Sequence, residues 1–396
     1  MSIAPNRVVI VGAAAGGLAT GEALRRAGHR GVITLVGAEP RLPYDRPPLS
    51  KQVLAGQWTP GRLALRTEAD IDALGLELRL GVPATGLDTG RRVVTLADDT
   101  RVPYDALVVA SGVRARRLAG TDGLVGVHSL RTLPDALALK ERLRSGRHLA
   151  IVGAGFVGAE VAATASDLGV RVTLLESGPV PLAPVVGEEA GQIITRLHAE
   201  HGVTVRTQVS VTGVVGTGDG LTGVRLADGT VVPADDVLVA IGSVPNTEWL
   251  ADSGLPVHDG VVCDEYSAAA EDVYGVGDVA RWYNPLFDTD MRVEHRTNAA
   301  EQGMAVAGNI LGERRPFAPV PYFWSDQYGT RFQAYGHLRD HDEAAVLNSD
   351  RLLVAYRRAD RLVGVLAADT SPKALRAWRA LIAARALWTT ALTTAA

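Results

Sequence analysis

The chain has 396 residues, 47% hydrophobic and 21% charged, enough for two or three packed domains and unlike a disordered chain. Its net charge of −4 gives no electrostatic case for nucleic acid or a membrane surface. One cysteine, Cys263, excludes an internal disulfide and a thiol–disulfide active site; no run is long and apolar enough to span a bilayer, and a cytoplasmic protein is expected.

Val8 to Gly17 reads VVIVGAAAGG. The apolar start resembles a signal peptide, but it enters a glycine turn and then a helical stretch through Glu22–Arg26, so it reads as strand, turn and helix. A second apolar run, Val32–Val36, closes a βαβ unit, with the acid Glu39 beyond it. Gly12 and Gly17 stand where a dinucleotide fingerprint needs them, but the middle position is Ala14. If that position required positive φ, alanine would cost about 1 kcal/mol or more; at negative φ it is tolerated. Both alternatives are open from the sequence.

Ala106–Gly112 is another apolar run ending in glycine. Leu149 to Gly158, LAIVGAGFVG, then repeats the opening pattern, with a helix and a strand at Val170–Leu175. Here Gly153, Gly155 and Gly158 complete GxGxxG. The first serves the tight turn, the second the approach of backbone to pyrophosphate, and the third helix–strand packing. Glu176 ends the second strand, and Ser177-Gly178-Pro179 after it offers no arginine; an acid accepting from a ribose 2′-hydroxyl favours NADH over NADPH. Asp236–Gly242 and Tyr274–Asp278 are further strands ending in glycine turns, and Leu226–Val232 lies in a β-rich stretch.

From Pro319 the chain becomes aromatic, with strand-like runs at 344–347, 351–356 and 362–366. Ser371-Pro372 then opens a helix with a serine cap and proline in its first turn, amphipathic and expected to pack on the protein. The fold class is α/β: two Rossmann-like dinucleotide-binding domains plus a small C-terminal α+β domain. Two nucleotide domains in one chain suggest a flavin at one site and a pyridine nucleotide at the other; the expected boundaries are 1–113 with 244–322 for a discontinuous FAD-binding domain, 114–243 for an NADH-binding domain, and 323–396 for the last.

Three segments are more specific: Pro43-Tyr44-Asp45-Arg46-Pro47-Pro48-Leu49-Ser50-Lys51, Tyr274-Gly275-Val276-Gly277-Asp278, and Tyr322-Phe323-Trp324-Ser325-Asp326-Gln327-Tyr328. With Arg292-Val293-Glu294-His295 and Thr297-Asn298-Ala299, they make the whole chain resemble the FAD-dependent, NADH-using ferredoxin reductases that serve cytochromes P450 and aromatic-ring dioxygenases, a glutathione-reductase-like fold. The resemblance implies that Gly12, Gly16, Gly17 and Glu39, with Ala14 between them, hold the adenosine and pyrophosphate of FAD, and that the Ala84 backbone meets the adenine. It implies that Arg46 and Lys51 lie against the flavin, that Arg131, Gly277 and Asp278 complete its site, and that Trp324 covers part of the ring. Lys51 is expected near flavin N5, paired with Glu160, which also orients the nicotinamide carboxamide. Gly153, Gly155, Gly158, Glu176 and Gly242 belong to the NADH site. Arg296 departs from the aromatic or apolar residue common in the family. Its guanidinium either raises the flavin potential, stacks on a ring, or points to solvent.

The implied reaction is hydride transfer from NADH to flavin, then single-electron transfer to a 2Fe–2S ferredoxin serving a P450 or Rieske-type oxygenase, with no metal ligand in this chain. Cys263 is expected to be a buried small hydrophobe, and His295 and His337 structural. Arg62, Arg66, Arg314 and Arg315 are candidates for docking an acidic ferredoxin. A rubredoxin reductase, an NADH oxidase or quinone reductase of the same fold, and a redox sensor resembling apoptosis-inducing factor remain open.

Overall fold

Uninterrupted runs of valine, isoleucine and leucine make strands that are buried on both faces, and such strands belong in parallel sheets covered by helices. The computed structural model describes residues 5–217, 220–349 and 352–395. Two units divide it: one of residues through 45, 63–114 and 244–321, the other of 46–62, 115–243 and 322 onward.

In the first unit six strands lie in the order 268–270, 273–275, 106–109, 7–11, 32–37, 77–80. Arg7–Val11 pairs parallel with both neighbours, Val8 opposite Ile33 on one side and Ala106 on the other. The core beside this sheet contains Val8, Ile10, Leu35, Val108 and Val306. Helices Ala15–Arg26 and Arg296–Ile310 cross closely, because Gly303 presents no side chain: a Cβ there would sit 2.6 Å from the Gly16 carbonyl oxygen. Two three-stranded sheets, 84–88 with 93–96 and 101–103, and 261–263 with 280–284 and 289–292, complete the unit.

The second unit repeats the parallel plan in the order 204–206, 171–175, 148–152, 236–239, 127–128. It also carries an antiparallel sheet, 211–217, 220–226 and 231–233, and the five-stranded C-terminal sheet 322–327, 330–336, 361–368, 353–358, 343–348. The strand-like runs at 344–347 and 362–366 fall inside observed strands; Arg351 lies outside the described residues, and the strand there is Leu353–Arg358. Ser371 caps helix Pro372–Ala383, its side chain accepting from the Ala374 N–H, and Leu375, Trp378 and Ile382 are buried. Residues 46–62, expected with the first domain, pack in this second unit.

Among the described residues no helix is long and apolar enough to cross a membrane. Cys263 is buried in strand Val261–Cys263, and burial pushes its thiol up to about 12.

Helix Ala183–Glu200 buries His198 completely. Its Nδ1 lies 2.8 Å from the Tyr328 hydroxyl, and His201 stacks on the same tyrosine. Burial, then the neighbouring His201, lowers His198 to about 4. The unfolded chain therefore takes up this proton first, and the stabilisation present above about pH 6.5 is lost as pH falls towards 4. The expected outcome is a Tm that falls over that interval, reflecting a few kcal/mol at most from this residue. His198→Asn flattens the fall, and an unaltered Tm–pH profile in that variant excludes His198 as its source.

Candidate functional site

Both parallel sheets end in a glycine turn that the backbone itself demands. Gly12 has φ of 131°, and a Cβ there would lie 2.0 Å from the Ala110 oxygen; Gly153 has φ of 99° and a corresponding distance of 2.5 Å to the Ala240 oxygen. Gly17 and Gly158 are excluded from bearing side chains by the carbonyls of Gly12 and Gly153, at 1.9 and 2.0 Å. The middle positions differ. Ala14 is extended at φ −130° and Gly155 lies at φ −72°, so neither needs glycine for its conformation. Nothing lies within 4 Å of a Cβ placed on Gly155. The alanine in the first fingerprint therefore carries no backbone strain.

Helices Ala15–Arg26 and Phe156–Asp167 start immediately after these turns. Neither has a side-chain cap or an acid in its first turn. Their first N–H groups are left for an anion, beside the central strand where the sheet order reverses, which is where open α/β sheets bind nucleotides. The residues present fit a dinucleotide pyrophosphate at each turn.

The acid after each second strand has a protein partner. Glu39 accepts from the Tyr44 hydroxyl at 2.7 Å. Its carbonyl receives the Gly81 N–H, and Val82 bonds to Gly37, which brings the strand beginning at Ala84 to this sheet end. Glu176 accepts from the Ala154 N–H and from the Gly178 N–H, both at 2.7 Å. It braces the fingerprint turn, a role the ribose reading does not contain. Gly242 is exposed at φ 93°, and its carbonyl accepts from Arg116.

Gly277 has φ of 75° and donates its N–H to Gln302 Oε1 at 2.8 Å; Gln302 is buried and donates in turn to Ser267. Arg292 donates to the Asp278 carbonyl at 3.2 Å. Gln302 and Arg292 hold this turn; sequence reasoning missed Gln302 and gave Arg292 no role beyond its place in a family-like segment. Arg296, at the start of helix Arg296–Ile310, does not point freely to solvent: its Nε lies 2.6 Å from Asp45 Oδ1. The ion pair offsets a cation at the positive end of a helix.

In the second unit Glu160 is buried in helix Phe156–Asp167. Lys51 Nζ donates to its Oε2 at 2.8 Å, and the Ser50 hydroxyl donates to the same oxygen at 2.5 Å. The Ser325 hydroxyl donates to Oε1 at 2.8 Å. The expected Lys51–Glu160 pair is present; the two serines were not anticipated. Arg46 donates to the Arg131 carbonyl at 2.8 Å, so those two also meet. Trp324 does not join Glu160. Side chains alternate along strand Tyr322–Gln327, so Ser325 faces Glu160 while Trp324 lies on the other face, half-buried and stacked on Tyr322. Among the docking arginines, Arg66 pairs with Glu22, Arg62 lies over Trp58, and Arg314 over Tyr266. His337 is largely buried, and burial lowers it.

A buried charge left without its partner costs about 3–5 kcal/mol, whereas neutralising both partners costs far less. Lys51→Met is therefore expected to lower unfolding free energy by about 3 kcal/mol in urea titrations, and adding Glu160→Gln to recover most of it. Additive losses in the double variant would show that the pair is not coupled.

Comparison with known proteins matches residues 6–303 to the pyridine nucleotide-disulphide oxidoreductase model and 322–394 to the reductase C-terminal model. Putidaredoxin reductase of Pseudomonas putida is 36% identical over 377 residues, covering 93% of this chain and 89% of that protein. The ferredoxin–NAD(+) reductase subunit of the benzene 1,2-dioxygenase system of the same species is 39% identical over 344 residues, covering 85% and 82%. Among solved structures, the covalent putidaredoxin reductase–putidaredoxin complex superposes with a TM-score of 0.92 at 35% identity, covering 96% of this chain and 93% of that one. The chain thus belongs to the pyridine nucleotide-disulphide oxidoreductase family, in the branch that ends in a reductase C-terminal domain and contains these ferredoxin reductases.

Proposed function

We propose that the chain is an FAD-dependent reductase that takes hydride from NADH and passes single electrons to a 2Fe–2S ferredoxin, which in turn serves a cytochrome P450 or Rieske-type oxygenase. The observation that carries this reading is the pair of uncapped helix N-termini, one behind Gly12 and one behind Gly153. Relatives that are ferredoxin reductases set the acceptor class. A single buried cysteine removes the dithiol chemistry in the family's name. An NADH donor is compatible with work in the cytoplasm.

When bound, FAD supplies the conversion of a two-electron donor into single electrons. The protein's part is to bind, orient and tune. Gly12, Ala14, Gly16 and Gly17 are assigned to the FAD pyrophosphate, with Glu39 on the adenosine ribose and the Ala84 backbone at the adenine. Arg46, Arg131, Gly277 and Asp278 are assigned to the rest of FAD, and Trp324 to partial cover of the ring. Gly153, Gly155, Gly158, Glu176 and Gly242 are assigned to NADH. Glu160 would accept from the nicotinamide carboxamide, with Lys51 holding the carboxylate and lying towards flavin N5. Positioning of this kind contributes by making the reacting atoms effectively unimolecular.

The test is NADH-driven cytochrome c reduction by the FAD-loaded protein, with and without a 2Fe–2S ferredoxin. A large ferredoxin-dependent rate with NADH, and a rate at least tenfold lower with NADPH, is expected. Rapid NADH consumption with oxygen, quinone or rubredoxin and no stimulation by ferredoxins would reassign the acceptor.

The Asp45–Arg296 pair adds a second expectation. Arg296→Gln leaves Asp45 unpaired and should lower the flavin midpoint potential by on the order of 30 mV, the two-electron equivalent of about 1.4 kcal/mol. Asp45→Asn should raise it. Potentials unchanged in both variants, measured by dye-coupled photoreduction, would remove this pair from the flavin's surroundings.

A further inference from the structure

Lys51 and Ser50 both donate to one oxygen of Glu160, Oε2. Ser325 alone donates to the other, Oε1. A carboxylate offers about four lone-pair positions, so among the described residues three are taken and the fourth is on Oε1. We infer that Ser325 is a positioning residue that aims this remaining lone pair, and that it thereby selects a dinucleotide whose ring carries a primary carboxamide. The inference rests on the reading of Glu160 as the carboxamide acceptor and goes beyond it to what fixes the acceptor's direction.

The hydroxyl of Ser325 has one proton, and the carboxylate draws it. Gln327 Nε2 lies 3.2 Å from Ser325 Oγ and donates to it. With its oxygen occupied from that side, the serine hydroxyl keeps its proton on Glu160. Both side chains are buried, Ser325 fully and Gln327 to 1% exposure, so water does not compete for them. Gln327 Oε1 is also buried and has no hydrogen-bond partner among the described residues, so the amide is retained at the cost of an unsatisfied acceptor. That cost has an explanation if its N–H must orient Ser325. Without Ser325 only Oε2 is anchored, and Oε1 is free to swing about the terminal torsion. A ring substituent with an N–H donor needs the fixed oxygen; a methyl ketone in its place does not.

The experiment measures equilibrium binding of NAD⁺ and of its 3-acetylpyridine analogue to the FAD-loaded protein by calorimetry. The analogue replaces the carboxamide by a methyl ketone and lacks the N–H donor. The ratio of the two Kd values is the readout. Ser325→Ala should reduce the preference for NAD⁺ about tenfold, the loss expected for one misdirected buried hydrogen bond. Ser325→Thr, which keeps the hydroxyl, should restore it. Gln327→Met, which leaves the serine in place and keeps the volume, should reduce it in the same direction by a smaller factor. An unchanged ratio in Ser325→Ala while Glu160→Gln abolishes the preference overturns the role of Ser325 alone. An unchanged ratio in Glu160→Gln overturns the assignment of Glu160, and this inference with it. Flavin absorbance and Tm establish that each variant is folded and loaded.

Discussion

A carboxylate inside a protein is costly unless donors converge on it, and the buried Glu160 imposes that condition on much of the second unit. Its donors come from distant parts of the chain: Ser50 and Lys51 from the segment after the first βαβ unit, and Ser325 from the C-terminal sheet. Thr164, one turn further along the same helix, donates to the Ser50 carbonyl at 2.9 Å, and Phe156 at its start packs edge-on against Phe323. The helix that carries the second fingerprint is thus the common support for three pieces of chain. This explains why residues 46–62 depart from the unit that precedes them in sequence.

The first unit solves a related problem with a short segment outside its sheet, in which Pro43 and Tyr44 are buried and Asp45 is half-buried. Pro43-Tyr44-Asp45 leaves the end of strand Val32–Gly37, and Tyr44 and Asp45 reach in two directions, to Glu39 and to Arg296. Backbone bonds from Leu65 to the Pro43 carbonyl and from Asp45 to the Leu63 carbonyl fasten the same three residues. A short polar strap thereby connects the end of the first βαβ unit with the start of helix Arg296–Ile310. In both units, the acid that follows the second strand is held by hydrogen bonds from its own chain, which fix the direction of its carboxylate.

The architecture was legible because its signals are periodic and local. Apolar runs, glycine turns and the offset to an acid define each βαβ unit within about thirty residues, and Ser371-Pro372 announces its helix by composition. The Lys51–Glu160 pair was legible only through likeness to a family, since nothing local links residues so far apart. Ser50, Ser325 and Arg292 lie in segments that carry the likeness, yet nothing local assigns them partners, and Gln302 gave no signal, because serine, glutamine and arginine are ordinary at any position until folding buries them. The partner of Arg296, Asp45, was not legible, because the two residues lie 251 positions apart in the sequence. Ala14 shows the limit of a motif. The letters treat three glycines alike, whereas the backbone requires the first and third and leaves the middle one to the ligand.

The one thiol has a bearing on the environment in which such a protein can work. Burial holds the Cys263 thiol well above its ordinary range and places its sulfur inside the strand Val261–Cys263, so the thiolate is disfavoured at neutral pH. Attack on peroxides, disulfides and alkylating agents needs the thiolate and access to it. The polypeptide is therefore insulated from the thiol poise of its surroundings, and oxidative stress that disables cysteine-dependent enzymes leaves it no cysteine handle to grasp.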